Sequence, residues 1–133
     1  MNLLLDTHVW VWSQEQPEKL GPRARQALLD REHSNTICTI STLEIARLLT
    51  VGTLSLAIPL STWIADSLRN LDATSVTVTH EIAAEAYTLP SAFHKDPADR
   101  ILVATARIHQ LILLTADERI LKYPHVQAMD AQS

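Results

Sequence analysis

Four acidic residues stand where the chain passes between strand-like and helix-like segments: Asp6, Glu44, Asp99 and Asp117. Asp6 ends an apolar run over residues 2–5, Glu44 follows a β-branched run over 36–40, and Asp117 follows the apolar run 111–114. Asp99 lies in the first turn of an apolar helix that opens at Asp96-Pro97 and leads into that last run. Carboxylates brought together repel, and in a crevice of low dielectric one or more stays protonated unless a cation joins them. Oxygen donors without a matching set of Cys and His suit Mg2+ or Mn2+, which keep several waters and take phosphate as well. Such a site activates water and stabilises charge on a phosphodiester undergoing in-line displacement.

Each acid also has a plainer local explanation. Asp96 can cap the helix that Pro97 begins, and acids in a first turn complement the partial positive charge there, worth roughly 0.3–1 kcal/mol each. Ser41 and Glu44 have the spacing of a capping box, as do Thr115 and Glu118. What would separate a site from a set of caps is convergence, which depends on the elements that carry the acids.

Residues 2–5 read as a buried strand, followed by a short helical segment over 9–12. Residues 14–21 read as a loop, and Pro22 starts a helix through about Glu32. A second strand covers 36–40, and a helix stopped by Gly52 follows. A further helix covers about 62–71, a third strand 75–78, and Thr79 caps a helix through Leu89 that Pro90 ends. After the helix of residues 94–110 come a fourth strand over 111–114, a short helix, and an edge strand over 126–129. On the 94–110 helix, Ile101, Leu102, Ala104 and Ile108 face inward, while Arg100 and Arg107 share a face that must meet solvent or a charged partner.

Strands alternating with helices predict an α/β fold, a parallel sheet covered on both faces. In such sheets the ligand crevice lies beyond the carboxyl ends of the strands, where strand order reverses. Asp6, Glu44, Asp99 and Asp117 therefore converge on one end of the sheet.

Composition narrows the function classes. A chain of 133 residues fits one domain, 1–133, with a core of its own. The charged fraction of 20% and hydrophobic fraction of 47% suit a soluble domain. No apolar run approaches the ~18–20 residues of a membrane span, and the amino end lacks the pattern of a signal peptide. The single Cys38, set between isoleucines, reads as a buried inert thiol. A net charge of −4 without a basic run argues against a broad electrostatic nucleic-acid binder, so any such contact is local or metal-mediated. Zinc is disfavoured: His80-Glu81 has Ala84 where a second histidine would stand, and neither His8 nor His94 has a paired partner to join Asp6.

LLLDTHVWVW, the step from Ser41 to Glu44, HKDPADRILVATA and LLTAD resemble, in order, the motifs of the PIN domain, specifically the VapC-like ribonuclease toxins of bacterial toxin–antitoxin pairs. The resemblance covers nearly the whole chain. It implies a three-layer α/β/α fold around a parallel sheet of four to five strands, and an endoribonuclease dependent on Mg2+, with Mn2+ as a substitute. Asp6, Glu44, Asp99 and Asp117 match the family's four acids, which would hold one or two metal ions. Thr115 matches the hydroxyl that precedes the last acid.

The resemblance leaves three neighbours open. Arg100 is read as a phosphate contact, a carboxylate support or a surface helix arginine. His8 replaces a small hydroxyl residue of many relatives and is read as a hydrogen-bond donor behind the metal rather than a ligand. Asp96 is a helix cap or a second metal contact. The resemblance further implies an RNA substrate, an antitoxin covering the crevice and a homodimer, with Trp10, Trp12 and Trp63 as partner contacts or core; the lone Cys38, which excludes an internal disulfide, agrees with a cytoplasmic location.

Two other classes compete. A receiver-like Mg2+-binding signalling domain would show an adjacent acid pair after the first strand, a phosphoacceptor Asp after a middle strand and a Lys after the last, none of which is present. A PIN-like binding module without catalysis is disfavoured by the full set of four acids.

Overall fold

The computed structural model describes Met1–Ser133. Its centre is a sheet of five parallel strands in the order β3-β2-β1-β4-β5. The strands are β1 (Asn2–Leu5), β2 (Ser34–Cys38), β3 (Ala73–Val76), β4 (Ile112–Thr115) and β5 (Ala128–Asp130). Leu3, Leu4 and Leu5 are fully buried, as a central strand covered on both faces requires. Their alternation divides the core: Leu3 and Leu5 pack with Trp10, Ala24, Leu28 and Trp63, whereas Leu4 packs with Leu102, Val103 and Tyr123. Three layers result, as the sequence predicts.

The helices are α1 (Thr7–Glu15), α2 (Pro22–Leu29), α3 (Thr39–Thr50), α4 (Leu60–Asn70), α5 (His80–Glu85), α6 (Pro97–His109) and α7 (Glu118–Leu121), with a 3-10 turn at Pro17–Lys19. No helix is long and apolar enough to cross a membrane. Local signals place several ends. Pro22 opens α2, Thr79 caps α5 through the Ile82 N–H, and Gly52 takes a φ of +80° just past α3. Asp96 caps α6 by accepting from the Ala98 and Asp99 N–H groups.

Other ends differ from expectation. α2 stops at Leu29 rather than near Glu32, because Asp30 turns extended and its carboxylate accepts the Glu32 N–H in a local turn. α5 ends at Glu85 rather than Leu89, its continuation tightening into three-residue turns that close on Ala84 and Glu85. β2 ends at Cys38, not Ile40: Thr39 and Ile40 already belong to α3.

Trp10 and Trp63 are core, not partner contacts. They pack together with centroids 4.9 Å apart, and the Trp10 indole donates to Ser67 Oγ at 2.9 Å. Trp12 is half-buried, edge-on to His8 and beneath the Lys19 ammonium.

Candidate active site

Strand order reverses at β1, which has β2 on one side and β4 on the other. The first residue beyond β1 is Asp6, and it is only 3% exposed. Its Oδ1 accepts the Thr7 N–H at 2.8 Å, capping α1, and its Oδ2 accepts the Thr115 hydroxyl at 2.6 Å. Both oxygens are thereby fixed in direction. Thr115 Oγ1 in turn accepts the Asp117 N–H at 3.0 Å, so one buried hydroxyl aligns two acids.

This overturns the capping box expected for Thr115 and Glu118. Thr115 is still within β4, paired with Asp130 and aimed at Asp6. Asp117 is the cap of α7 instead, accepting the Arg119 N–H at 2.8 Å.

The capping box expected for Ser41 and Glu44 is likewise absent. α3 begins at Thr39, which puts Ser41 inside the helix and Glu44 beyond its first turn. Ser41 is fully buried, with Oγ 2.9 Å from Thr7 Oγ1, and the Thr7 hydroxyl donates to the Glu44 carboxylate. Thr7 thus stands between α1 and α3 and steers Glu44 toward Asp6. Burial raises the Glu44 pKa above its ordinary value; the Thr7 bond opposes this, and the charges of Asp6 and Asp96 add to it.

Asp99, in the first turn of α6, is buried beside the other acids. Burial, then the charges of Asp6, Asp96, Asp117 and Glu44, push its pKa up to about 8. Asp6, Glu44 and Asp117 each lie near enough for their charge to act on Asp99. Asp117 differs: burial pushes it up, but the hydrogen bonds and charge of Arg119 outweigh that and leave it below its ordinary value.

The Asp99–Asp117 half of the site includes a histidine. His94, Asp99 and Asp117 present ligand atoms all within 4.8 Å of one another. His94 Nδ1 accepts the Asp96 N–H at 3.4 Å, which leaves the proton on Nε2. Nε2 is buried 3.1 Å from Asp99 Oδ2 without the alignment of a hydrogen bond. Burial, reinforced by Arg119 and opposed by the charges of Asp117 and Asp96, lowers the His94 pKa.

The remaining expected residues fall out unevenly. His8 Nε2 accepts the Ala116 N–H at 3.2 Å, turning Nδ1 toward Asp6 Oδ2 at 3.6 Å. It is a brace between α1 and the end of β4, as a residue behind the ligands would be. Asp96 is exposed, and Oδ1 makes both of its cap bonds. Arg100 is neither a carboxylate support nor free on the surface. Its guanidinium donates to the carbonyls of Ala86 at 2.9 Å and Phe93 at 3.1 Å and lies over Tyr87, pinning the segment before α6.

Sequence reasoning missed Thr7, Arg119 and the pairing of His94 with Asp99. Thr7 adjoins the first acid and Arg119 follows the last by two residues, but neither position reveals what its side chain meets.

The donor set fits a divalent cation. Carboxylate oxygens predominate, the two of Asp6 are oriented by hydrogen bonds, and Asp99 and Asp117 bring ligand atoms within 4.8 Å of each other. A cavity of about 320 Å3 flanks the site between α3 and α6, lined by Ile40, Leu43, Glu44, Arg47 and Asp96. A larger groove, about 1050 Å3 and lined by Arg107 and His125 among others, lies at the far end of α6 and touches none of the four acids.

Fold and site together define a three-layer α/β/α domain with a carboxylate cluster at its topological switch point. The chain belongs to the PIN domain family, whose model matches residues 3–126. It is 37% identical over 125 residues to Ribonuclease VapC22 of Mycobacterium tuberculosis (strain ATCC 25618 / H37Rv), covering 92% of each chain. Among solved structures it is similar in fold to VapBC2 from Rickettsia felis bound to a promoter DNA fragment, with a TM-score of 0.72, 13% identity, and 97% and 98% of the two chains covered. It is also similar to DNA-bound VapBC from Salmonella typhimurium, with a TM-score of 0.69, 15% identity and 98% of each chain covered.

Proposed function

We propose that residues 1–133 form a divalent-metal-dependent endoribonuclease, the toxin of a VapBC-type toxin–antitoxin pair. The observation that carries this reading is the placing of the acids at the switch point of the sheet: Asp6 is buried with both oxygens held by hydrogen bonds, and Asp99 and Asp117 bring ligand atoms within 4.8 Å of each other and of His94. The 37% identity to a protein named as a ribonuclease supports the substrate class. Asp6, Glu44, Asp99 and Asp117 would hold the ion, with Mg2+ the natural choice for hard oxygens and Mn2+ a substitute.

A divalent ion held by these carboxylates would supply an activated water and neutralisation of charge on the scissile phosphodiester. The chain's own part is orientation. Thr115 fixes Asp6 and the start of the Asp117 turn, Thr7 fixes Glu44, and the α6 cap sets the position of Asp99. A negative protein would otherwise repel RNA, so substrate contact depends on this local compensation of charge. The solved VapBC complexes of similar fold support a cognate antitoxin as partner, and self-association as a homodimer belongs to the same reading.

A receiver-like role is disfavoured by the edge of the sheet: β3 ends at Val76 and Thr77-Val78-Thr79 follows, with no acid to accept a phosphoryl group.

The test is cleavage of a mixed set of structured and single-stranded RNAs, with Mg2+ or Mn2+ and with chelator, beside Asp6→Asn. Asparagine keeps an oxygen that can cap α1, so the variant should fold. Metal-dependent cutting that disappears in Asp6→Asn is the expected result. Cutting that persists in chelator would overturn the metal role, and no cutting together with no divalent binding would return the acids to helix caps.

A further inference from the structure

We propose that Arg119 is a tethered counter-cation of the acid cluster: its guanidinium occupies Asp117 in the free protein, and a divalent ion binds fully only by displacing it. The inference rests on reading Asp6, Glu44, Asp99 and Asp117 as divalent-cation ligands.

The pairing is two-pronged. Arg119 Nε lies 3.3 Å from Asp117 Oδ1 and Nη2 lies 3.1 Å from Oδ2, so both carboxylate oxygens face the guanidinium fork. Nη2 also stands 3.9 Å from Asp99 Oδ2. The guanidinium therefore covers two of the three side chains whose ligand atoms gather within 4.8 Å. Any ion that takes Asp117 oxygens must compete with it.

Compensation by this residue is partial. A guanidinium brings one charge where a divalent ion brings two, and its planar fork matches one carboxylate at a time. Both the charge and the geometry leave room for a better cation.

Displacement would also be easy. The Arg119 side chain is 62% exposed and projects from the first turn of α7 at the rim, so it can swing away without repacking. Arg100 and Arg107 lack this freedom, the first held by two carbonyls and the second by Glu85 at 2.9 Å and the His125 carbonyl at 2.6 Å. Lys122, the C-cap of that short helix, faces Glu118 at 3.8 Å outside the cluster. It supplies a control of equal charge.

The experiment is calorimetric titration of the metal-free protein with Mn2+ alone, no RNA present, for the parent chain, Arg119→Gln and Lys122→Gln. Mn2+ electron paramagnetic resonance serves as a second readout. The expected result is Mn2+ binding tighter by roughly two- to fivefold in Arg119→Gln, the range set by an exposed pair, with less than half that gain in Lys122→Gln. Unchanged or weaker binding in Arg119→Gln, or an equal gain in Lys122→Gln, would overturn the proposal while leaving the divalent site standing. Absence of Mn2+ binding in the parent chain would overturn both.

Discussion

The hydroxyl of Thr115 donates to Asp6 Oδ2 at 2.6 Å, linking the ends of two adjacent parallel strands whose residues lie 109 positions apart in sequence. The same oxygen accepts the Asp117 N–H, so two acids depend on one side chain. Thr115→Val keeps the shape and removes the polar partner, leaving a buried carboxylate oxygen and a backbone N–H unsatisfied. It is expected to cost about 1–3 kcal/mol in denaturant unfolding and to weaken Mn2+ binding, while Thr115→Ser stays near the parent in both.

Asp99 should govern how the metal-free protein responds to pH. Its folded pKa of about 8 stands above the ordinary 3.8, so between those values the folded chain binds more protons than the unfolded one. Stability therefore falls as pH rises through that window, the contribution being complete below about pH 4 and lost above about 8. In chelator, Asp99→Asn is expected to flatten this dependence and to exceed the parent in stability at pH 8.5. Urea titrations at pH 5 and 8.5 decide the matter. An equal slope in both proteins would exclude Asp99 as its source.

A linked effect follows for metal uptake. An ion that holds Asp99 as a carboxylate must release its proton, so affinity rises as pH increases toward 8. Titrating Mn2+ at pH 7 in buffers of different ionisation enthalpy should reveal that released proton. Asp99→Asn should release less.

Arg100→Gln tests the role that the structure gives Arg100. Losing the bonds to Ala86 and Phe93 should lower stability by about 1.5–3 kcal/mol, as for hydrogen bonds from a charged donor. Mn2+ affinity should stay within about twofold of the parent, since the guanidinium does not touch the acids. A large loss of affinity with little loss of stability would return Arg100 to the site.

Gly21 makes a close approach of another kind. A Cβ there would stand 2.1 Å from the Ser133 carbonyl oxygen, in a segment tied down by the Gly21 N–H to the Ala131 carbonyl and the Arg23 N–H to that of Ser133. Gly21→Ala is expected to cost about 1–3 kcal/mol and to speed amide exchange over residues 131–133, with the acid cluster unaffected. Its φ of −71° is ordinary, so the effect is steric.

Sequence alone determined what local chemistry controls. The runs over 2–5 and 111–114 are too apolar to be anything but buried, Asp96-Pro97 can do little but start a helix, and Gly52 suits a helix end. Strand-helix alternation then implied a parallel sheet, and with it one edge toward which all four acids project. The tertiary structure decided what those acids lean on. Thr39, Ile40 and Ser41 suit strand or helix start equally well by propensity, and the fold settles them as helix with Ser41 against Thr7, 34 residues away. The spacing of Thr115 and Glu118 matches a cap, yet burial beside Asp6 gives that hydroxyl another partner. Arg100 and Arg119 are chemically alike, and only the packing around them makes one a strut between carbonyls and the other the cation at the cluster. Caps and apolar periodicity act within a few residues of chain, whereas the partner of a buried hydroxyl or a guanidinium is fixed by which strands lie side by side.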